Sequence, residues 1–287
     1  MIMIVYIKDR VSCDDSRSFV LSVQTDTQYR IIKYGRYLTG GNMEEKKRKV
    51  LKRILTALGI LLILAGAFFI YTGIYYHADN GFIDSYQTEV KLRETELPSG
   101  DMVFDPLDAK IGFIFYPGGK VEHTAYIPLM REIASKGYLC ILCRMPFRLA
   151  IMDIHRADNY IGGYEGIKTW YIGGHSLGGV AAAFEAADRE GKFRGLVLLG
   201  AYSSKDISKE DIRVLSIYGS EDKVLKMDKY EKNRDKLPSS MTETIIEGGC
   251  HAYFGAYGAQ KGDGVPSITN EEQIRLSGKI ITDWIAE

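Results

Sequence analysis

The order of apolar and polar positions divides this chain into stretches that obey different rules. From residue 110 onward, short runs rich in valine, isoleucine and leucine alternate with longer amphipathic stretches. The short runs predict strands at 111–116, 138–143, 169–172, 195–199, 214–218 and 243–246. The amphipathic stretches predict helices at 125–136, 151–159, 177–190, 227–237 and 270–286. Strands that are apolar at consecutive positions are covered on both faces, and helices between them supply the crossovers that parallel strands require. The pattern therefore predicts an α/β domain, a mostly parallel sheet flanked by helices. The mostly polar stretch before it, with Pro98, Gly100 and Pro106, reads as a linker over 77–100 and a short antiparallel edge. Candidate edge strands are 89–92 and 102–104.

A second pattern lies upstream. Residues 54–76 carry no charge and run Ile-Leu-Thr-Ala-Leu-Gly-Ile-Leu-Leu-Ile-Leu-Ala-Gly-Ala-Phe-Phe-Ile-Tyr-Thr-Gly-Ile-Tyr-Tyr. At about 1.5 Å per residue such a helix spans a hydrocarbon core of about 30 Å. Lys46, Lys47, Arg48, Lys49, Lys52 and Arg53 crowd its N-terminal side, and Tyr71, Tyr75 and Tyr76 occupy the level of an interfacial belt. The expectation is a single-pass membrane anchor, with residues 1–53 cytoplasmic and the domain at 101–287 on the far side. The run is longer than the apolar core of a signal peptide, and no Ala-x-Ala cleavage site follows it. Residues 1–42 show no sustained period. Met43-Glu-Glu-Lys-Lys-Arg-Lys opens a more conventional start, so 1–42 are expected not to belong to the natural protein.

Composition narrows the function classes. The 37 basic and 37 acidic side chains cancel, which gives no reason to expect a nucleic acid partner. Apolar content of 46% suits a packed domain. Four cysteines are too few and too scattered for a disulfide framework. Cys140 and Cys143 form a Cys-x-x-Cys, but inside a strand they face opposite sides and no second ligand pair exists, so they read as core. Neither a metal nor a cofactor is expected.

The chemistry concentrates at Gly174-His175-Ser176-Leu177-Gly178, a Gly-x-Ser-x-Gly between the apolar run 169–172 and the alanine-rich helix at 177. A serine on such a strand-to-helix corner is exposed at the edge of the sheet, and the flanking glycines permit the tight backbone. The hydroxyl becomes a nucleophile only with a base and an orienting carboxylate, which follow in the order acid, then histidine. Of five histidines, only His251 lies beyond Ser176, in a glycine-flanked loop after the last strand. His175 reads as a neighbour beneath the corner, and His123 and His155 as surface or helix positions. Asp222 is the first choice of acid, at the end of Val214-Leu-Ser-Ile-Tyr-Gly-Ser-Glu-Asp. Glu221 and Asp206 stay open as alternatives. The oxyanion formed by attack on a carbonyl needs preset N–H donors. Leu177 supplies one, and Tyr116-Pro-Gly-Gly-Lys120 supplies another from Gly119 or Lys120, since Pro117 has no N–H. Tyr253, Phe254 and Tyr257 either wall an acyl pocket or form a packed aromatic cluster.

These residues resemble the α/β-hydrolase superfamily, within it the small single-domain enzymes similar to dienelactone hydrolases, over about 101–287. The resemblance implies an α/β-hydrolase fold with Ser176 as nucleophile, Asp222 as acid, His251 as base, and oxyanion donors near Gly119 and at Leu177. Dienelactone hydrolases proper use cysteine where this chain has Ser176, so lactone specificity is not implied. Asp222 follows Ser176 too closely to leave room for a lid domain, so an open site is expected. The function expected is a membrane-anchored serine hydrolase acting on a small carboxylic ester or thioester through an acyl-enzyme. Transfer of the acyl group to an envelope component, or binding without catalysis on the same fold, are the alternatives.

Overall fold

A computed structural model describes residues 21–25, 28–32 and 40–287. The chain divides after Ala67 into two units. In the first, β1 (Leu21–Thr25) and β2 (Gln28–Ile32) form an antiparallel ladder, and α1 (Gly40–Gly73) begins. The expectation that 1–42 are not natural falls largely outside the described residues. Over Glu44–Gly73 this helix is long and apolar enough to cross a bilayer. It stops at Gly73, three residues short of the uncharged run's end at Tyr76. Tyr76 instead makes a parallel bridge with Val121.

The second unit runs from Phe68 to Glu287. The stretch that reads as a linker carries a short helix, α2 (Asn80–Ser85), capped by the Asp79 side chain, and Ile83 and Tyr86 are buried against the domain. Two apolar anchors in a polar stretch are too few to show a period, which is why the sequence pattern missed them. The sheet contains eight strands: β3 (Arg93–Glu96), β4 (Met102–Asp105), β5 (Ile111–Tyr116), β6 (Leu139–Leu142), β7 (Thr169–His175), β8 (Gly195–Leu199), β9 (Arg213–Gly219) and β10 (Thr242–Ile246). Their spatial order is β10-β9-β8-β7-β5-β6-β4-β3. From β10 to β6 all neighbours are parallel, while β4 and β3 add an antiparallel edge. The edge strand expected at 89–92 lies instead at Arg93–Glu96, where its alternation is wholly polar and solvent-facing.

The helices are α3 (Ile127–Ser135), α4 (Leu177–Asp188), α5 (Met227–Arg234) and α6 (Asn270–Ala286). The helix expected at 151–159 is instead two 3₁₀ segments, Ala150–Met152 and Ile154–Asn159, with another, Pro146–Arg148, just before them. Alternation along the strands sorts the core into two layers. Phe113, Phe115, Cys140 and Leu142 face the layer under α3 and α6; Ile114, Tyr116, Ile141 and Cys143 face the one under α4. Cys140 and Cys143 are thus buried free thiols on opposite faces.

The final helix starts with a capping box: the Thr269 hydroxyl accepts from Glu272 N–H, and the Glu272 carboxylate accepts from Thr269 N–H at 2.7 Å. Thr269→Ala should lower unfolding free energy by about 1 kcal/mol. Urea unfolding of the detergent-solubilised chain measures it, and an unchanged midpoint would show that the cap contributes nothing.

Candidate active site

Every loop that carries a candidate residue leaves the sheet at one edge, the carboxyl ends of the parallel strands, where open α/β sheets place their ligand sites. Ser176 follows β7 with φ 52° and ψ −121°. A non-glycine residue there costs on the order of 1–3 kcal/mol and is kept only where its surroundings force it. The surroundings are backbone. A Cβ on Gly174 would overlap Gly178, and a Cβ on Gly178 would overlap the carbonyls of Tyr116 and Pro117. These two glycines let strand, helix and neighbouring turn close on one another, and Ser176 takes the bend.

His251 and Asp222 are both buried, with His251 Nδ1 and Asp222 Oδ2 2.8 Å apart. The other carboxylate oxygen accepts from Val224 N–H at 2.9 Å and Leu225 N–H at 2.8 Å, which fixes the carboxylate plane. With Asp222 as acceptor, Nδ1 carries the proton and Nε2 keeps a lone pair. Among the described residues Nε2 has no hydrogen-bond partner, Ser176 included. Of the other candidate acids, Asp206 accepts from the Ser208 backbone and hydroxyl, and neither it nor Glu221 contacts His251. The structure therefore brings His251 together with Asp222, at the edge where Ser176 stands.

The two candidate turn donors differ. Lys120 N–H donates to Arg148 O at 2.8 Å, and Gly118 N–H to the Tyr126 hydroxyl at 3.1 Å. Gly119 N–H has no acceptor among the described residues, and a Cβ there would lie 2.8 Å from Leu177 Cδ2. Leu177 opens α4, so its N–H has no intrahelical acceptor either. Gly119 and Leu177 thus offer adjacent unengaged donors, and Lys120 does not.

Sequence reading missed the residues that brace this arrangement. The Tyr126 hydroxyl lies 2.7 Å from His175 Nδ1 and accepts from Gly118, tying the turn to the residue before Ser176. Burial, and then the nearby His251, hold His175 well below the usual histidine range. Gln273, fully buried, receives Cys250 N–H and donates to Cys250 O, clamping the residue before His251. Asp263 accepts from Ala252 N–H and Lys223 N–H, joining the acid loop to the histidine loop. No local pattern marks these side chains, because each acts across a long sequence separation. Phe254 and Tyr257 are buried against His175 and Tyr126, so they serve as packing beneath the site. Burial, then Asp263, pushes the Cys250 thiol up to about 12, so it carries no thiolate near neutral pH.

One group of side chains has the spacing of a cation site: His155, Asp158 and Glu185, with ligand atoms within 4.8 Å of one another. Its members are already engaged, His155 with Glu185 at 2.5 Å and Asp158 with Arg189 at 2.5 Å. His155 is exposed within Ile154–Asn159, in keeping with its reading as a surface or helix position, and is also tied to the buried Glu185 of α4.

Two measurements follow. Gly200 has φ +51°, and a Cβ there would lie 2.9 Å from His251 Nδ1 and 3.1 Å from Asp222 Oδ2. Gly258, with φ +74°, has open space around it. Gly200→Ala should therefore destabilise the chain more than Gly258→Ala, by about 1 kcal/mol or more, since only the first adds a clash to the strain. Equal losses in urea unfolding would refute the packing argument. For His175 the folded state disfavours the proton, while the unfolded chain binds it near pH 6.5. Below that pH the unfolded state holds more protons, so stability falls as pH drops, by up to about 1.4 kcal/mol per pH unit. His175→Asn should flatten the slope between pH 6.5 and 5, and an unchanged slope would assign the effect elsewhere.

Residues 112–275 match the model of the alpha/beta hydrolase family. The esterase domain of a Rhodothermus marinus protein superposes with a TM-score of 0.50 at 11% identity, over 69% of this chain and 98% of that one. Est1E from Butyrivibrio proteoclasticus gives 0.48 at 12% identity, over 68% and 99%. A CIB-like hydrolase from Thermoplasma acidophilum gives 0.48 at 16% identity, over 67% and 99%. At these identities the likeness to the Rhodothermus domain is one of fold. A search of curated proteins finds no match. The family match spans more than half of the 287 residues and covers the parallel strands with their carboxyl-edge loops, so the chain belongs to the alpha/beta hydrolase family.

Proposed function

We propose that the protein is a serine hydrolase that cleaves a carboxylic ester or thioester through an acyl-enzyme, tethered to a membrane by α1. The observation that carries the reading is the strained backbone of Ser176 at the edge where a buried His251–Asp222 pair keeps Nε2 free. In the first half-reaction Ser176 Oγ bonds to the substrate carbonyl carbon as its proton passes to His251 Nε2. The tetrahedral oxyanion lies against the N–H groups of Gly119 and Leu177. The C–O or C–S bond then breaks, and the leaving group takes the proton from His251. In the second half, water adds to the acyl carbon with His251 again taking a proton, and Ser176 leaves as the alcohol. Asp222 holds the imidazole in the required tautomer and offsets its positive charge.

The connection between β8 and β9, residues 200–212, contains no helix and is too small for a lid domain, which favours soluble or surface-presented esters over a lidded substrate channel. For the tether, the cation cluster at 46–53 favours a cytoplasmic N-terminus, with the catalytic unit on the opposite side.

The test is active-site labelling with a fluorophosphonate, together with hydrolysis of p-nitrophenyl esters of increasing acyl length. Native protein should label and Ser176→Ala should not. Asp222→Asn and His251→Ala should each lower kcat/KM by about a thousandfold or more. Equal labelling of native protein and Ser176→Ala would defeat the assignment.

A further inference from the structure

A cleft of about 490 Å³ opens between the loops that follow β5 and β6, beside the nucleophile's strand in the sheet order. It shares Pro117 with the turn that carries Gly119, and the Pro117 carbonyl lies against Gly178, two residues beyond Ser176. Cleft and nucleophile thus flank one four-residue turn.

The lining is cationic. Arg144, Arg148 and Arg156 face a single carboxylate, Glu122, which is engaged by Ala78 N–H at 3.0 Å. Arg156 is fixed by Asp101, a fully buried carboxylate that accepts from its Nη2 at 2.7 Å and from Arg144 N–H at 2.6 Å. The charge of Asp101 is therefore matched inside the wall. Arg144 and Arg148 have no carboxylate partner among the described residues. The Arg144 stem packs on Gly100, where a Cβ would come within 2.6 Å of Cδ, and the Arg148 guanidinium stacks 3.4 Å from the Tyr75 ring centroid.

Arg144 is exposed and Arg148 half-buried, so both guanidiniums reach solvent at the cleft while their stems are held in place. Five non-glycine residues among those described have positive φ; two of them, Phe147 and Arg148, line this cleft, and a third, Lys120, directly precedes its lining residue Val121. Backbone strain held in place by surrounding contacts gathers at ligand sites. The Lys120 N–H to Arg148 O bond couples this strained wall to the turn that carries the candidate oxyanion donor.

We propose that the cleft is an anion subsite, which binds a carboxylate or phosphate group of the same ester whose carbonyl lies at Ser176. The proposal rests on the serine hydrolase reading and names its substrate class. Guanidiniums suit such groups because their paired N–H donors match two oxygens at once.

The test compares kcat/KM of the full chain in neutral detergent for a p-nitrophenyl hemisuccinate and for its uncharged methyl ester. The charged ester should be favoured by about tenfold or more, as a charge-assisted contact provides. Arg144→Gln and Arg148→Gln should each reduce that ratio several-fold, and Arg144→Lys should retain part of it. A second arm measures fatty-acid release from phosphatidylglycerol and phosphatidylcholine vesicles. Preference for the anionic lipid alone assigns the group to a membrane headgroup, and preference for the hemisuccinate alone assigns it to a soluble ester. Either supports the subsite if the arginine variants abolish it. Fluorophosphonate labelling of each variant reports an intact fold. A ratio near one in both arms, with Ser176 still labelled, overturns the subsite. A native chain that does not label overturns the hydrolase reading instead.

Discussion

The backbone at Ser176 is the constraint from which the rest of the carboxyl edge follows. Its φ of 52° is not a local preference of serine; it results from fitting β7, α4 and the turn after β5 into a space without room for Cβ atoms at Gly174 and Gly178. The same closeness sets Gly119 against the Leu177 side chain, so one packing event both bends the Ser176 backbone and brings Gly119 and Leu177 together. Strain of on the order of 1–3 kcal/mol is small against the burial of the strands on either side, most of whose residues are inaccessible to solvent.

Around that corner the structure holds polar groups by exhausting their alternatives. Asp222 has one oxygen committed to two backbone N–H groups and the other to His251, so the imidazole has a single way to point. The Tyr126 hydroxyl pairs with His175 Nδ1 and accepts from Gly118 N–H, which leaves Gly119 as the unengaged donor of the turn. Buried polar groups are costly unless paired. Among the described residues His251 Nε2, His175 Nε2 and Glu185 Oε1 are buried without a partner, and of these the His251 acceptor is the one that the proposed reaction would use as its base.

Much of this was legible in the residues because it depends on local order. The runs 195–199 and 270–286 match the observed β8 and α6 to the residue, since strong apolar periods and the Thr269 cap fix them locally. Ser176, His251 and Asp222 were reachable from the order that the chemistry imposes. The 3₁₀ turns in place of the helix expected at 151–159 were not: their apolar spacing imitates a helix, but Asp153, with φ −152° and ψ 64°, breaks it. Nor was the choice between Gly119 and Lys120, which turns on a hydrogen bond to Arg148, or the roles of Tyr126, Gln273 and Asp263. Each acts across a fold that no window of sequence contains.

The turn between β5 and α3 therefore answers to more than the corner at Ser176. Its Lys120 accepts from Tyr76 N–H at 2.8 Å through its carbonyl and donates to Arg148 through its N–H, while Glu122 N–H donates back to Tyr76 O. Tyr76 lies three residues beyond the end of α1, so the segment leaving that helix is hydrogen-bonded to the turn as an added strand residue. Arg148 in turn stacks on Tyr75. A flexible linker would isolate the turn from whatever the helix does; two backbone hydrogen bonds and a stacked guanidinium make the turn's position depend on residues 75 and 76. The segment after α1 is thus part of the framework that positions Gly119, and not only a spacer.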